Sequence, residues 1–327
     1  MQLIVPHLFP AARLLDTAAQ DLRLPAWQTL LARGRLAACA AEGVEAQVCT
    51  ELGIPGQQDY PIAPITLEYD GGDAGTHYWL RADPVHLRVM RDRIVLADSG
   101  VLGLLQSEAD ALARSISDHF GMALSPQPLH PARWYLRLDQ VPRLRTTPIS
   151  IAVGCDIDPL LPQGDDAMLF RTQLNELQML LFEHPVNQAR EARGELPVNS
   201  LWLWGGGCLP AVPKPAVTLY SNDAEVRALG RFCGVEAAAM PSVFSAGLLE
   251  ENKLIVLDQL SAAGQYGDAF GWREAISAME RDWFASMLQH LRWHPATVRL
   301  LDPINGKSLD LNKLDCWKIW RRPRALI

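Results

Sequence analysis

The chain is 327 residues long, 49% hydrophobic and 20% charged, with 37 acidic against 30 basic side chains and a formal net charge of -7. That composition excludes a disordered or fibrous chain, and the length allows a large core in two domains of roughly 100 to 200 residues each. The acidic balance predicts no nucleic-acid and no membrane partner, because either surface would repel the protein as a whole, and the basic run Arg321-Arg322-Pro323-Arg324 is too local to alter that expectation.

No apolar run reaches the roughly 18 residues of a membrane span, and MQLIVPHLFP has neither a basic leader nor a small-residue cleavage site, so the expected localisation is cytoplasmic. Cys39, Cys49, Cys155, Cys208, Cys233 and Cys316 show no metal-binding or redox spacing and read as reduced, packed thiols.

In chain order, Leu3-Ile4-Val5 predicts a first buried strand, and Leu24 to Gly34 a helix with Pro25 in its first turn and a Trp27, Leu30, Leu31 stripe. From Ile54 the texture turns to Pro, Gly, Gln and Asp, which marks a boundary. Beyond it the pattern predicts extended runs at Tyr78 to Leu80 and Ile94 to Leu96, and a helix from an N-cap at Ser107 to Phe120. Short strands follow at Arg133 to Leu138 and Ile149 to Val153, then a helix from Asp165 to Glu183 with apolar positions including Met168, Leu169, Leu174, Leu177 and Leu181. Residues 66–163 read as an inserted α+β lid domain, and 1–65 with 164–327 as the core domain.

The stretch NQAREARGELPVNSLWLWGGGCLP, Asn187 to Pro210, is the most informative. A helix end stops at Gly194, and Ser200 to Trp204 make a short apolar burst closed by Gly205, Gly206 and Gly207. The burst reads as a strand covered on both faces, as in a parallel sheet, with glycines that either bring backbone close to a ligand or let the next element pack closely. Strands at Val217 to Tyr220, Lys253 to Leu257 and Val298 to Leu301, interleaved with helices at Asp223 to Cys233 and Arg273 to Leu291, predict an α/β fold with a doubly wound, mostly parallel sheet.

WLRADPVHL, ELQMLLFEHPVNQAREARGELPVNSLWLWGGG, EVRALGRFCGV and AAGQYGD, in that order, resemble the archaeal-type cofactor-independent phosphoglycerate mutases of the alkaline phosphatase superfamily. The same strings resemble a bacterial RpfE-type group that carries a regulatory label. The resemblance implies an alkaline-phosphatase-like core and phosphoryl transfer through a serine held beside two divalent metals. At the positions where it implies an Asp-Gly pair, a serine nucleophile, the two ends of Asp-Glu-Ala-Gly-His and an Asp-His pair, this chain has His7, Val44, Ser261, Gln265, and Asp302 with Pro303. A valine cannot attack phosphorus. The resemblance with those departures implies a degenerate phosphoglycerate-mutase-like protein: non-catalytic, without cofactor or metal, and regulatory or anion-sensing through a small anionic or phosphorylated ligand.

Candidate ligand contacts are Arg81, Asp83, His86, Arg93 and Asp98 in the lid, where arginine forks suit phosphate, and Asn187, Arg190, Asn199, Gly205 and Gly206 around the glycine strand. Arg81 pairing with Asp98 across two strands, and Asn187, Arg190, Arg193 and Asn199 bracing a loop, are the structural alternatives. His184 suits a helix end, and His290 with His294 makes a poor zinc pair because Pro295 ends the helix. The alternative function is a metal-dependent phosphomutase or phosphatase using Mn or Mg at a rebuilt site from Asp156, Asp158, Asp165 and Asp166, or from Asp258 and Asp268.

Overall fold

The computed structural model describes residues 1–211 and 214–323, so Arg324 of the basic run lies outside the described residues. Its strands are β1 Gln2–Ile4, β2 Arg35–Ala38, β3 Tyr78–Val89, β4 Ile94–Ala97, β5 Pro126–His130, β6 Arg133–Leu138, β7 Ser200–Gly207, β8 Thr218–Tyr220, β9 Lys253–Val256, β10 Thr297–Asp302 and β11 Lys307–Asn312. They fall into two compact units, Met1–Leu52 with Pro213–Ile327, and Gly53–Val212. Residues 53–65 and 164–212 therefore group with the middle of the chain, not with the outer segments as the sequence suggested. The strand Ser200–Gly207 is what takes 164–212 there, because it hydrogen-bonds along β3.

In the first unit the sheet order is β2-β11-β10-β1-β9-β8. The run β10-β1-β9-β8 is parallel, with β11 and β2 added antiparallel at one edge. This is the expected α/β architecture with a mostly parallel sheet. Alternation along the central strands divides the core: Leu3, Val5, Ile255, Leu257 and Leu300 join one cluster with Trp27, Leu30, Trp272, Ile276 and Phe284, while Ile4, Leu254 and Val256 are also buried but lie outside it. Strands buried on both sides read as unbroken apolar runs, which is why LIV and KLIV were legible.

The predicted helix at Leu24 to Gly34 is Pro25–Arg33, and Trp27 stacks on Phe284 at 4.8 Å between ring centroids. Phe284 belongs to a continuous helical segment, Ala269–Met279 and Ala285–Leu291, joined by a wide π-helical turn at Glu280–Phe284. The Glu280 carboxylate accepts from the N–H groups of Ala26 and Trp27 at 2.7 and 2.9 Å, satisfying donors that the N-terminus of that first helix leaves open.

The second unit is α+β. Its five-stranded sheet is antiparallel throughout and organised on β3, which pairs with β6 through Tyr78–Arg81, with β7 through Trp79–Val85 and with β4 through His86–Val89. The glycine strand thus belongs to an antiparallel ladder, a correction to the parallel reading. Leu201 and Leu203 face the cluster that contains Leu174 and Leu177, and the opposite face packs against the helix Ile62–Tyr69. Periodicity reports burial on two faces but not strand direction.

Other elements shift as well. Ile149–Ala152 is a helical turn instead of a strand, and the helix read from Ser107 begins at Gln106, where the Glu108 carboxylate accepts from Leu105 N–H at 3.1 Å. The helix Ala167–Phe182 buries Phe170, Leu174, Leu177 and Leu181, leaving Met168 and Leu169 in solvent. Among the described residues no helix is long and apolar enough to cross a membrane.

Candidate functional site

Parallel β1, β9, β10 and β8 send their following loops to one end of the first unit's sheet, the end at which open α/β sheets keep ligands. Beyond β1 the chain reaches His7, and beyond β9 it reaches the helix Ser261–Tyr266, which carries Ser261 and Gln265. The last residue of β10 is Asp302, and the Pro303 carbonyl accepts from Gly43 N–H at 3.2 Å, just before the helix that starts at Val44. His7, Val44, Ser261, Gln265, Asp302 and Pro303, dispersed in sequence, are therefore gathered at this end.

Asp302 organises the gathering. Its side chain is fully buried, and Oδ1 accepts from the backbone N–H of His7, Ile304 and Asn305, each at 3.1 Å. Oδ2 accepts from Phe9 N–H at 2.9 Å and from Asn305 Nδ2 at 3.0 Å. A buried carboxylate needs a cation or a shell of N–H donors, and here the loops after β1 and β10 supply the shell.

His7 sits in the left-handed region at φ 60°, a conformation in which histidine is over-represented among non-glycine residues. Its carbonyl accepts from Trp272 Nε1 at 3.0 Å, and its ring lies where a side chain at Gly264 would stand, so this glycine is required by close approach. Burial lowers the His7 pKa, against an opposing pull from Asp302. Its buried Nε2 has no hydrogen-bond partner among the described residues.

A second carboxylate at the same end was not singled out from sequence. Asp223 follows β8 and caps the helix Ala224–Phe232, accepting from Val226 N–H at 2.9 Å. Burial, with the neighbouring charges of Glu225, Glu45 and Asp258, pushes its pKa up to about 7. The signal was present as an N-cap aspartate directly after a strand in YSNDAEV.

Several of the expected ligand contacts of the second unit have protein partners. Arg81 and Asp83, two residues apart on one face of β3, form a buried bidentate pair with both N–O distances 2.9 Å. Arg81 also donates to Thr66 Oγ1 at 3.3 Å and lies 5.0 Å from the Trp204 ring centroid, while Asp83 accepts from Trp204 Nε1 at 2.7 Å. The suggested Arg81–Asp98 partnership is thus replaced by a shorter-range one. His86 Nδ1 is 2.9 Å from the Pro197 carbonyl, Arg93 is exposed and Asp98 is half-buried.

Asn187 clips a helix to the strand after it, donating to the Leu181 and Val198 carbonyls and accepting from Val198 N–H. Buried Arg190 pairs with Glu108 at 2.7 Å and donates to the carbonyls of Leu196 and Leu102, and Asn199 exchanges two hydrogen bonds with the backbone of Leu87. A side chain on Gly205 would meet Ile62 at 2.9 Å, one on Gly206 would strike Tyr78, and one on Gly207 would come within 2.6 Å of Pro61. These glycines serve close packing of the strand, the second of the two roles the sequence allowed.

Among the described residues no group of three or more His, Cys, Asp or Glu is arranged to hold a metal ion. Asp165 pairs with Arg143, Asp166 accepts from Arg143 N–H, and Asp268 caps a helix through Gly271 N–H, so these carboxylates have structural work of their own.

No family model matches the chain. Curated relatives are 2,3-bisphosphoglycerate-independent phosphoglycerate mutases. That of Methanothrix thermoacetophila is 41% identical over 68 residues, covering 21% of this chain and 17% of the relative. The second such enzyme of Methanothermobacter thermautotrophicus is 26% identical over 181 residues, covering 48% and 45%. The matched stretches thus span less than half the length of these relatives. Among solved structures, a cofactor-independent phosphoglycerate mutase from Thermoplasma acidophilum aligns over 95% of this chain and 89% of its own at 17% identity and a TM-score of 0.41. Sequence similarity to cofactor-independent phosphoglycerate mutases therefore holds over parts of the chain.

Proposed function

We propose that this protein is a non-catalytic relative of the cofactor-independent phosphoglycerate mutases, working as a regulatory protein that binds a small anionic or phosphorylated molecule without transforming it. The RpfE-type resemblance points the same way, and the partial sequence similarity supports the ancestry.

The observation that carries the reading is Asp302. A carboxylate that held a divalent cation would keep lone pairs directed into an open coordination site. Here five N–H donors from two loops surround its oxygens. Beside it the helix that starts at Val44 brings a side chain with neither nucleophilic oxygen nor metal-binding atom. A pair of divalent cations does not fit this donor set.

The test is a coupled assay for interconversion of 2- and 3-phosphoglycerate with manganese or magnesium, run beside thermal melts with phosphate and each phosphoglycerate. The expected result is no turnover and an upward melting shift with an anion, because a ligand that binds only the folded state raises stability. Turnover abolished by a chelator would overturn the reading.

A further inference from the structure

The carboxyl-terminal part of the first unit carries a feature that the proposed site does not use. Trp293, Leu314, Trp317, Ile319 and Trp320 are 48 to 76% exposed. They form one neighbourhood: the Trp293 and Trp317 rings meet edge-on at 5.6 Å, Trp317 Nε1 donates to the Arg292 carbonyl, and Lys313 Nζ donates to that of Trp293. The segment is also pinned from beneath. Cys316 is buried and its carbonyl accepts from Arg33, while Asp315 is buried and its carboxylate accepts from Asn312 N–H and binds Lys318. The apolar tips thus stand in solvent on an anchored base.

The segment that carries most of them is cationic. Within residues 313–322 the basic side chains are Lys313, Lys318, Arg321 and Arg322, and the one acidic side chain is Asp315, already neutralised by Lys318. Tryptophan tips with aliphatic neighbours and a basic fringe match the boundary between anionic headgroups and acyl chains, where indole rings settle and lysine and arginine meet phosphate. The aliphatic side chains of Leu314 and Ile319 suit insertion and offer no stacking face for nucleic-acid bases.

We propose that this patch docks the protein reversibly on an anionic phospholipid surface. The chain's net charge of -7 opposes adsorption as a whole. At physiological salt, however, exposed charges farther away than a Debye length of about 8 Å are largely screened, so the membrane senses the local fringe. Each basic residue near such a surface strengthens binding about fivefold, and salt removes that gain. Docking of this kind does not depend on turnover of phosphoglycerate.

The experiment is co-sedimentation of the full chain with phosphatidylcholine vesicles, with and without phosphatidylglycerol, while following tryptophan emission. Binding to the anionic vesicles only, with a blue shift and loss in high salt, is expected. Ile319→Ser with Trp320→Ser, and separately Arg321→Glu with Arg322→Glu, each lower partitioning about tenfold or more. Met179→Ser with Phe182→Ser, exposed apolar residues elsewhere, leave it unchanged. Absence of binding to anionic vesicles, equal binding to neutral ones, or indifference to both patch variants would overturn the proposal, as would preference for a single-stranded oligonucleotide over vesicles.

Discussion

Asp83 and Asp302 are both buried carboxylates, one in each unit, yet they are stabilised in opposite ways. Asp83 faces a formal countercharge, the Arg81 guanidinium on its own strand, and the pair is roofed by aromatic rings. Asp302 has N–H donors alone, most of them main chain, drawn from loops that follow two different strands. The first arrangement locks a side-chain pair inside a sheet. The second fixes loop backbone, so the same functional group is a core pair in one unit and a loop organiser in the other.

The largest expected effect separates the two. Arg81→Met strands the Asp83 charge in the interior and lowers unfolding free energy by about 3 to 5 kcal/mol, whereas replacing both partners with apolar residues of similar volume recovers most of that loss. Urea denaturation of the single and double variants measures it, and equal losses would mean the ion pair is not what balances Asp83. Asp302→Ala leaves several donors without an acceptor and costs about 2 to 4 kcal/mol. Its signature in hydrogen exchange is faster exchange at Phe9, Ile304 and Asn305, with no such local pattern in the Arg81 variant.

Asp223 adds a third environment, a carboxylate among carboxylates. Its folded-state pKa of about 7 lies above the ordinary 3.8, so the folded protein holds a proton that the unfolded chain releases. That contribution is full below pH about 4 and disappears as pH climbs through about 7, so stability falls with rising pH across this window. Asp223→Asn keeps the helix cap and removes the like charge. It should flatten that slope and raise stability at pH 8 by about 1 to 3 kcal/mol, read from melts across the range. An unchanged slope would show that Asp223 titrates normally. The smallest effect is Trp320→Ser, within about 0.5 kcal/mol, because the ring is mostly in solvent.

What was legible followed from pattern. The strands Leu3 to Val5 and Lys253 to Leu257 announced themselves because both sheet faces are covered, and Pro25 and Gly34 bracketed a helix by backbone chemistry. The edge strand β2, RLAA, is too exposed to show periodicity and was missed. β7 was seen as a strand but placed in the wrong sheet, since burial alone carries no direction. Sequence suggested Asp98 for Arg81 when a residue two positions away on the same face of β3 was available, and Asp83 is that residue. Asp302 was marked by resemblance, but its donor shell depends on loops nearly 300 residues apart, which no local pattern encodes.

The wide turn at Glu280–Phe284 has a lasting consequence for how this chain can vary. Its two end residues carry the contacts, Glu280 at the start of the helix Pro25–Arg33 and Phe284 on Trp27, while the wide turn absorbs the extra residue between them. A π-turn closes i→i+5 bonds and takes up one residue more than an α-turn, so deleting one position would restore a regular spiral and leave the Ala285–Leu291 segment close to its present phase. Shortening by one residue is therefore open to descendants of this sequence here, whereas replacing Glu280 or Phe284 is not.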